Sequence, residues 1–349
     1  MSTPAPKVSV CIPAYNVEKY VCETLDSVLA QTFKDFEIIF VDDGSVDRTL
    51  AIAEDYSKRD SRIRVFAQGE NKGLIENRNR TLKEARGDLI ALADSDDIMH
   101  PDRLARQVSF MDNNPEVGAL GSTVDYKIEY DGRSPHQDIY PDDSSIRFFM
   151  NLLPCLWNPT TMYRRNLIEQ VGGYRSEFAA GGEDYELWSR LLPITQFANI
   201  LEPLVTYRVH GSSVMATQPK CLNNVLSVSK SLFNQYTGLS LTDEDRMLLH
   251  RFMTHEGLPL DLVKQAFHYL ETFSSIAKQR EPNTVYSTFQ NTLSEIYLTH
   301  SEYISYVCPS TSGALLLKSL SAKPTLLSTV RFWKQAVRGL VLNRIRKPK

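Results

Sequence analysis

A chain of 349 residues exceeds the usual length of about 100–200 residues per domain, so the sequence predicts two domains. Its 42% hydrophobic and 23% charged residues exclude wholesale disorder, and a formal net charge of -3 argues against generic nucleic-acid binding. The cysteines Cys11, Cys22, Cys155, Cys221 and Cys308 are odd in number and scattered without zinc-ligand or redox spacing, which points to a reducing compartment. Met1–Lys7 lacks the apolar stretch of a secretory signal, and no run of about 18 apolar residues occurs. The expected location is cytoplasmic, with room for attachment to the cytoplasmic face of a membrane.

Taken in chain order, Val8–Ile12 is a β-branched apolar run of the kind found in buried parallel strands. Val21, Leu25, Val28 and Leu29 then share one helical face. Phe36–Val41 reads as a second strand, Asp47 as the cap of the next helix, and Ile63–Phe66 as a third strand. Leu74–Ala85 reads as a helix and Leu89–Ala93 as a fourth strand. Repeated β-α units of this kind predict an α/β fold with a mostly parallel, Rossmann-like sheet flanked by helices. After about Val214 helical spacing dominates, which predicts a helical C-terminal region over 215–349 after a catalytic domain over 1–214.

Ligands of open α/β sheets bind beyond the carboxyl ends of the strands. Strand one runs into Pro13-Ala14-Tyr15-Asn16, strand two into Asp42-Asp43-Gly44-Ser45, and strand four into Asp94-Ser95-Asp96-Asp97. Carboxylates two residues apart suit hard cations such as Mn2+ or Mg2+, which in turn hold diphosphate oxygens. The competing reading is a solvated acidic loop ahead of a helix. Asp42 can accept a hydrogen bond from a nucleobase N–H, and Tyr15 can stack on the base or simply pack at the rim. Arg78 is either a solvated helix residue or a contact to base or phosphate. Gly182-Glu183-Asp184-Tyr185 supplies a candidate general base, or merely acids that favour a helix start. His210 closes Tyr207-Arg208-Val209-His210 as a ligand or phosphate contact, or as a structural histidine.

In combination and in order, Val8–Asn16, Val41–Ser45, Asp94–Asp97, Gly172-Gly173-Tyr174, Gly182–Tyr185 and Tyr207–His210 resemble the signatures of family 2 glycosyltransferases. The resemblance covers about residues 6–215. It implies the GT-A nucleotide-sugar-binding fold and inverting transfer from a nucleotide-sugar, with a UDP-sugar the leading donor, to a glycan or lipid-linked acceptor in bacterial surface polysaccharide or glycolipid assembly. It further implies a nucleotide-sugar site of Pro13, Tyr15, Asp42, Arg78, Asp94 and Ser95. A metal at Asp96 and His210, and catalysis by Asp184 with Glu183 beside it, complete the implied site. The rivals fit less well. Pro13-Ala14-Tyr15-Asn16 stands where a nicotinamide dehydrogenase has Gly-x-Gly-x-x-Gly, and no P-loop is present. A nucleotidyltransferase and a non-catalytic nucleotide-sugar-binding scaffold remain as alternatives.

The stretch 331–349 carries Arg331, Lys334, Arg338, Arg344, Arg346, Lys347 and Lys349 and no acid, with Phe332, Trp333, Val337, Leu340, Val341 and Ile345 at spacings of three and four. Such a basic amphipathic tail suits an anionic membrane surface, although the same stripe would also serve to pack on the protein. The full chain is expected to sediment with anionic but not neutral vesicles, less so at high salt, and a chain ending at Val330 is expected to lose that binding. Equal binding by both chains, or none by either, would remove the role of the tail.

Overall fold

The computed structural model describes residues 5–129, 139–210, 221–253 and 260–304. The tail at 331–349 and Cys308 lie outside the described residues. Strands and helices alternate from the start: β1 Val8–Ala14, α1 Val21–Leu29, β2 Phe36–Asp42, α2 Thr49–Arg59, β3 Ile63–Ala67, α3 Leu74–Glu84 and β4 Leu89–Leu92. Next come β5 Ile98–Met99, α4 Arg103–Asn113, β6 Val117–Ile128, α5 Asp143–Phe149, β7 Met162–Arg164, α6 Arg165–Val171, α7 Glu183–Leu191 and β8 Gln196–Val209.

The eight strands form one sheet in the order β3-β2-β1-β4-β7-β6-β8-β5. Its first half is parallel throughout. In the second half β7 runs against both β4 and β6, and β5 runs against β8. Sequence periodicity reports that a strand is buried, not which way it runs, so the antiparallel members are visible only here. β1 and β2 are buried along almost their whole length and mostly apolar because the sheet is covered on both faces, as parallel strands require. On one face Val8, Val10 and Ile12 join Val21, Leu25 and Val28 of α1 and Leu104, Val108 and Met111 of α4 in one core. Each fully buried side chain of this size contributes about 1.5–3 kcal/mol.

The parallel register sets the level of the site. Ala14 pairs with Asp42 and Cys11 with Leu92, so strands β1, β2 and β4 end side by side. Gly44 turns the chain out of β2 at a φ of 70°. A Cβ at that position would lie 2.5 Å from the Glu70 carbonyl carbon, so the turn excludes other residues.

One compact unit runs from Met1 to Ser229, past the sequence boundary at 214, and takes in the first half of helix α8, Cys221–Thr237. The second unit begins at Lys230, and its described part is helical: α9 Asp243–Met253, α10 Leu260–Arg280 and α11 Asn283–Ile304. Phe233, Phe273 and Phe289 form its centre, with ring centroids 5.0 and 5.3 Å apart. Among the described residues no helix is long and apolar enough to cross a membrane.

At the opposite end of the sheet from the strand carboxyl ends, Glu37 is buried as a charge. Ser9 Oγ donates to it at 2.7 Å, Arg86 Nε at 2.9 Å and Arg64 Nη1 at 3.1 Å. Burial alone would raise this carboxyl, but the bonds from Arg86, Ser9 and Arg64 hold it below its ordinary value of 4.5. A carboxyl depressed on folding adds stability above its unfolded value and loses it as pH falls through the folded one. Glu37→Ala is therefore expected to cost about 3 kcal/mol at pH 7, near the low end for breaking a buried pair because both arginines reach solvent. In urea titrations the gap between wild type and variant should narrow steadily below pH 4.5.

Candidate active site

The loop after β1 is joined to the loop after β2 by short-range bonds. Asn16, at a φ of 52°, accepts from Val46 N at 2.9 Å through its side chain, and its own N–H donates to Ser45 Oγ at 2.9 Å. Asp42 ends β2 almost fully buried, accepting from Ser45 N at 3.0 Å through Oδ2. Its other oxygen, Oδ1, has no partner among the described residues. Tyr15 is 45% exposed on the rim of this end of the sheet, next to Pro13 and Ala14 at the end of β1. Asp43 plays a structural part, accepting from Gln68 Nε2, Lys72 N and Gly73 N at 2.8–2.9 Å, and so ties β2 to the start of α3. Asp47 serves the start of α2, accepting from Thr49 N at 2.9 Å one residue ahead of the cap position.

The acidic loop after β4 is held from below. Thr24 Oγ1 donates to the carbonyls of Ser95 and Asp97 at 3.0 and 2.8 Å. Arg208 Nε donates to the Asp96 carbonyl at 2.7 Å, while Arg208 N donates to Asp97 Oδ1 at 2.8 Å. Burial, then the charges of Asp96 and Asp94, raises the Asp97 carboxyl well above its ordinary range. Asp96 points the other way, with Oδ2 at 2.9 Å from His210 Nε2. The His210 ring stacks on Tyr20 at 4.6 Å, which orients the imidazole toward Asp96. Asp96 and His210 therefore meet although they are far apart in the chain. Among the described residues no group of three metal-ligating side chains forms. A carboxylate and an imidazole brought together fit a cation whose remaining ligands are diphosphate oxygens and water.

Arg78 overturns the solvated-helix reading. It is buried on the inner face of α3, and its Nη1 donates to Glu183 Oε1 at 2.5 Å. Nη2 lies 3.6 Å from Asp94 Oδ1, an ion pair without a hydrogen bond. With its amide oxygen turned toward the guanidinium, Asn158 accepts from Nη1 at 2.8 Å and from Nη2 at 3.1 Å. Burial raises the Asp94 carboxyl to about 6, against the lowering by Arg78 and with the help of Asp96 and Glu183.

Gly181 and Gly182, at φ of 104° and 80°, turn the chain into α7. A Cβ on Gly181 would meet Cys221 Sγ at 2.7 Å, and Asn224 Nδ2 donates to the Gly181 carbonyl at 2.7 Å. The first turn of α8 thus backs the acids that follow. Glu183 is 5% exposed and engaged by Arg78. Asp184 is half-buried and accepts from Tyr185 N at 2.7 Å. Burial and the neighbouring Glu183 raise its carboxyl from 3.8 to about 7, partly opposed by Arg78.

The sequence profile of Glycosyl transferase family 2 matches residues 9–172. An O-antigen biosynthesis glycosyltransferase of Escherichia coli, WbnJ, is 30% identical over 211 residues, which span 59% of this chain and 81% of that protein. The chain belongs to glycosyltransferase family 2. An uncharacterized glycosyltransferase of Haemophilus influenzae is 32% identical over 215 residues, 59% of this chain and 67% of that protein. Among solved structures, residues 1–349 of Staphylococcus aureus TarS in complex with UDP-GlcNAc align with a TM-score of 0.56 at 20% identity, covering 90% of this chain and 89% of that one. The shared fold is GT-A.

In this family 2 chain, several residues of the site escape sequence reasoning. Arg208 is anchored by Glu23 at 2.6 Å and Glu129 at 3.1 Å while it supports the acidic loop. Arg103, fully buried on α4, donates to the Leu92 carbonyl at 2.8 Å, and burial lowers it to about 9 despite Asp97 and Asp94. Asn158 and Asn224 carry no local signal at all, because their partners lie in distant parts of the chain. For Arg208, its place beside His210 is the available clue.

A carboxyl raised on folding keeps its full stability below the unfolded value and loses it as pH climbs through the folded one. Ionising Asp184 therefore strains the fold between pH 3.8 and about 7. Asp184→Asn is expected to raise the melting temperature relative to wild type at pH 8 and to change it little near pH 4. A variant less stable than wild type at pH 8 would show that Asp184 is a stabilising carboxylate instead.

Proposed function

We propose that this family 2 chain transfers a sugar from a nucleoside-diphosphate donor, with a UDP-sugar first in line, to the hydroxyl of a glycan or lipid-linked acceptor, inverting the anomeric centre. The observation that carries this reading is the division of labour in Glu183-Asp184. Arg78 occupies Glu183, which leaves Asp184 as a half-buried carboxyl raised to about 7, suited to accept a proton near neutral pH.

In this reading the ionised Asp184 takes the proton of the acceptor hydroxyl as its oxygen bonds to the anomeric carbon. The bond from that carbon to the diphosphate oxygen breaks on the opposite face, and the nucleoside diphosphate leaves with the electron pair. Asp42 Oδ1, buried without a partner, suits a base N–H, and Tyr15 offers an exposed ring beside it. Asp94 and Ser95 border the ribose and phosphates, and Arg78 keeps Asp94 and Glu183 in place. Asp96 and His210 would hold Mn2+ or Mg2+, which neutralises charge gathering on the leaving diphosphate. The UDP-GlcNAc bound to TarS supports a uridine donor, and the O-antigen role of WbnJ supports a surface-polysaccharide or glycolipid product.

Release of nucleoside diphosphate from a panel of nucleotide-sugars, with and without chelator, tests the proposal. Asp184→Asn should keep nucleotide affinity and lose transfer by about 100-fold or more. Asp96→Asn should lose turnover while the fold persists, and wild-type kcat should rise with pH through about 7 as Asp184 ionises. Full activity in chelator would sink the metal assignment, and a healthy Asp184→Asn beside a dead Glu183→Gln would reverse the two roles.

A further inference from the structure

Beyond β7, on the side of the acidic loop away from Asp42, three aromatic rings gather at the edge of the site. Tyr126 on β6 and Tyr207 on β8 are register partners in adjacent parallel strands. Trp157 precedes a short 3-10 turn, Asn158–Thr160, and leans on both. Its ring centroid lies 6.0 Å from Tyr126 and 5.4 Å from Tyr207, and the two tyrosines are 6.4 Å apart.

We infer that Trp157, Tyr126 and Tyr207 form a platform for the pyranose ring of the acceptor, next to the base. This inference rests on the glycosyl-transfer reading and adds the class of acceptor: a sugar-terminated molecule that presents a hydroxyl of a pyranose. Two links fix the platform at the site. Through Trp157 it adjoins Asn158, whose amide meets Arg78, the partner of Glu183 and Asp94. Through Tyr207 it adjoins Arg208, whose N–H bonds Asp97 at 2.8 Å.

Exposure separates this cluster from ordinary core packing. Phe233, Phe273 and Phe289 of the second unit are at most 1% exposed, as a structural aromatic cluster should be. Trp157, Tyr126 and Tyr207 are all half-buried, and Tyr207 stands close enough to Asp94, Asp97 and Asp96 to feel their charges. A sugar ring matches that combination: one face of C–H groups, which sheds water on an aromatic ring, and a rim of hydroxyls, which carboxylates accept from. A nucleobase would stack as well, but Asp42 ends β2 and Tyr15 follows β1, both on the far side of β4 and β7 in the strand order.

Saturation-transfer NMR on the full chain with methyl pyranosides of glucose, galactose, mannose and N-acetylglucosamine tests the platform directly. At least one should receive saturation through its ring C–H protons in the wild type. Trp157→Ala should weaken that binding about tenfold or more, Trp157→Phe should restore part of it, and Tyr126→Leu should weaken it with the Trp157 ring intact. No signal from any methyl pyranoside in the wild type, or an undiminished signal in both Trp157→Ala and Tyr126→Leu, would overturn the inference. Nucleoside diphosphate release, measured separately on the wild type, tells whether the transfer reading itself stands.

Discussion

Carboxylates crowd one end of the sheet, and their mutual repulsion is the constraint around which the site is built. Asp94, Asp96 and Asp97 arrive from β4, while Glu183 and Asp184 arrive from the start of α7. Left to themselves, such charges would drive the two segments apart or take up protons. Arg78 stands between them, 2.5 Å from Glu183 and 3.6 Å from Asp94, with Asn158 on its remaining face. A guanidinium suits this place because it stays charged when buried and offers several donors in one plane. Its attraction falls mainly on Glu183 and Asp94, while burial and then the charge of Glu183 raise Asp184. The cation that joins the two acidic segments tempers this rise and leaves the Asp184 carboxyl at about 7.

Other buried groups extend the same balance. Arg208 reaches the acidic loop from β8 and is itself balanced by Glu23 and Glu129. Arg103 on α4 is fully buried, which lowers it to about 9 despite Asp97 and Asp94. Thr24 holds two carbonyls of the loop, so the backbone there has little freedom to relax when charge arrives. A site held in this way has its charges in position before any substrate binds, and that preorganisation is the usual source of electrostatic catalysis. The cost appears as stability given up at neutral pH by carboxyls raised on folding.

Much of this is legible from the residues in order. The strands at Val8, Phe36, Ile63 and Leu89 announce themselves because buried parallel strands are apolar on both faces, and the acidic loops at Asp42 and Asp94 stand out because each directly follows such a run. Asp47 reads as a helix cap and does serve the start of α2, although from one position further out, since a side chain of that length can reach the first helical N–H. Arg78, in sequence, looks like a solvated helix residue or a nucleotide contact. Its local neighbours offer no means of seeing Glu183, more than a hundred residues away.

The sequence by itself determined which segments form the parallel half of the sheet, which loops lie at its carboxyl edge, and which family the chain belongs to. Hydrophobic period and loop chemistry are local properties, written within a few residues. Tertiary structure alone decided that β7 and β5 run backwards, that Arg78 joins Asp94 to Glu183, that Asp96 meets His210, and that Trp157 closes on Tyr126 and Tyr207. Those pairings depend on strand direction and helix packing, which bring distant residues within a few ångströms. Burial of that kind, more than any neighbour in sequence, raises the Asp184 carboxyl.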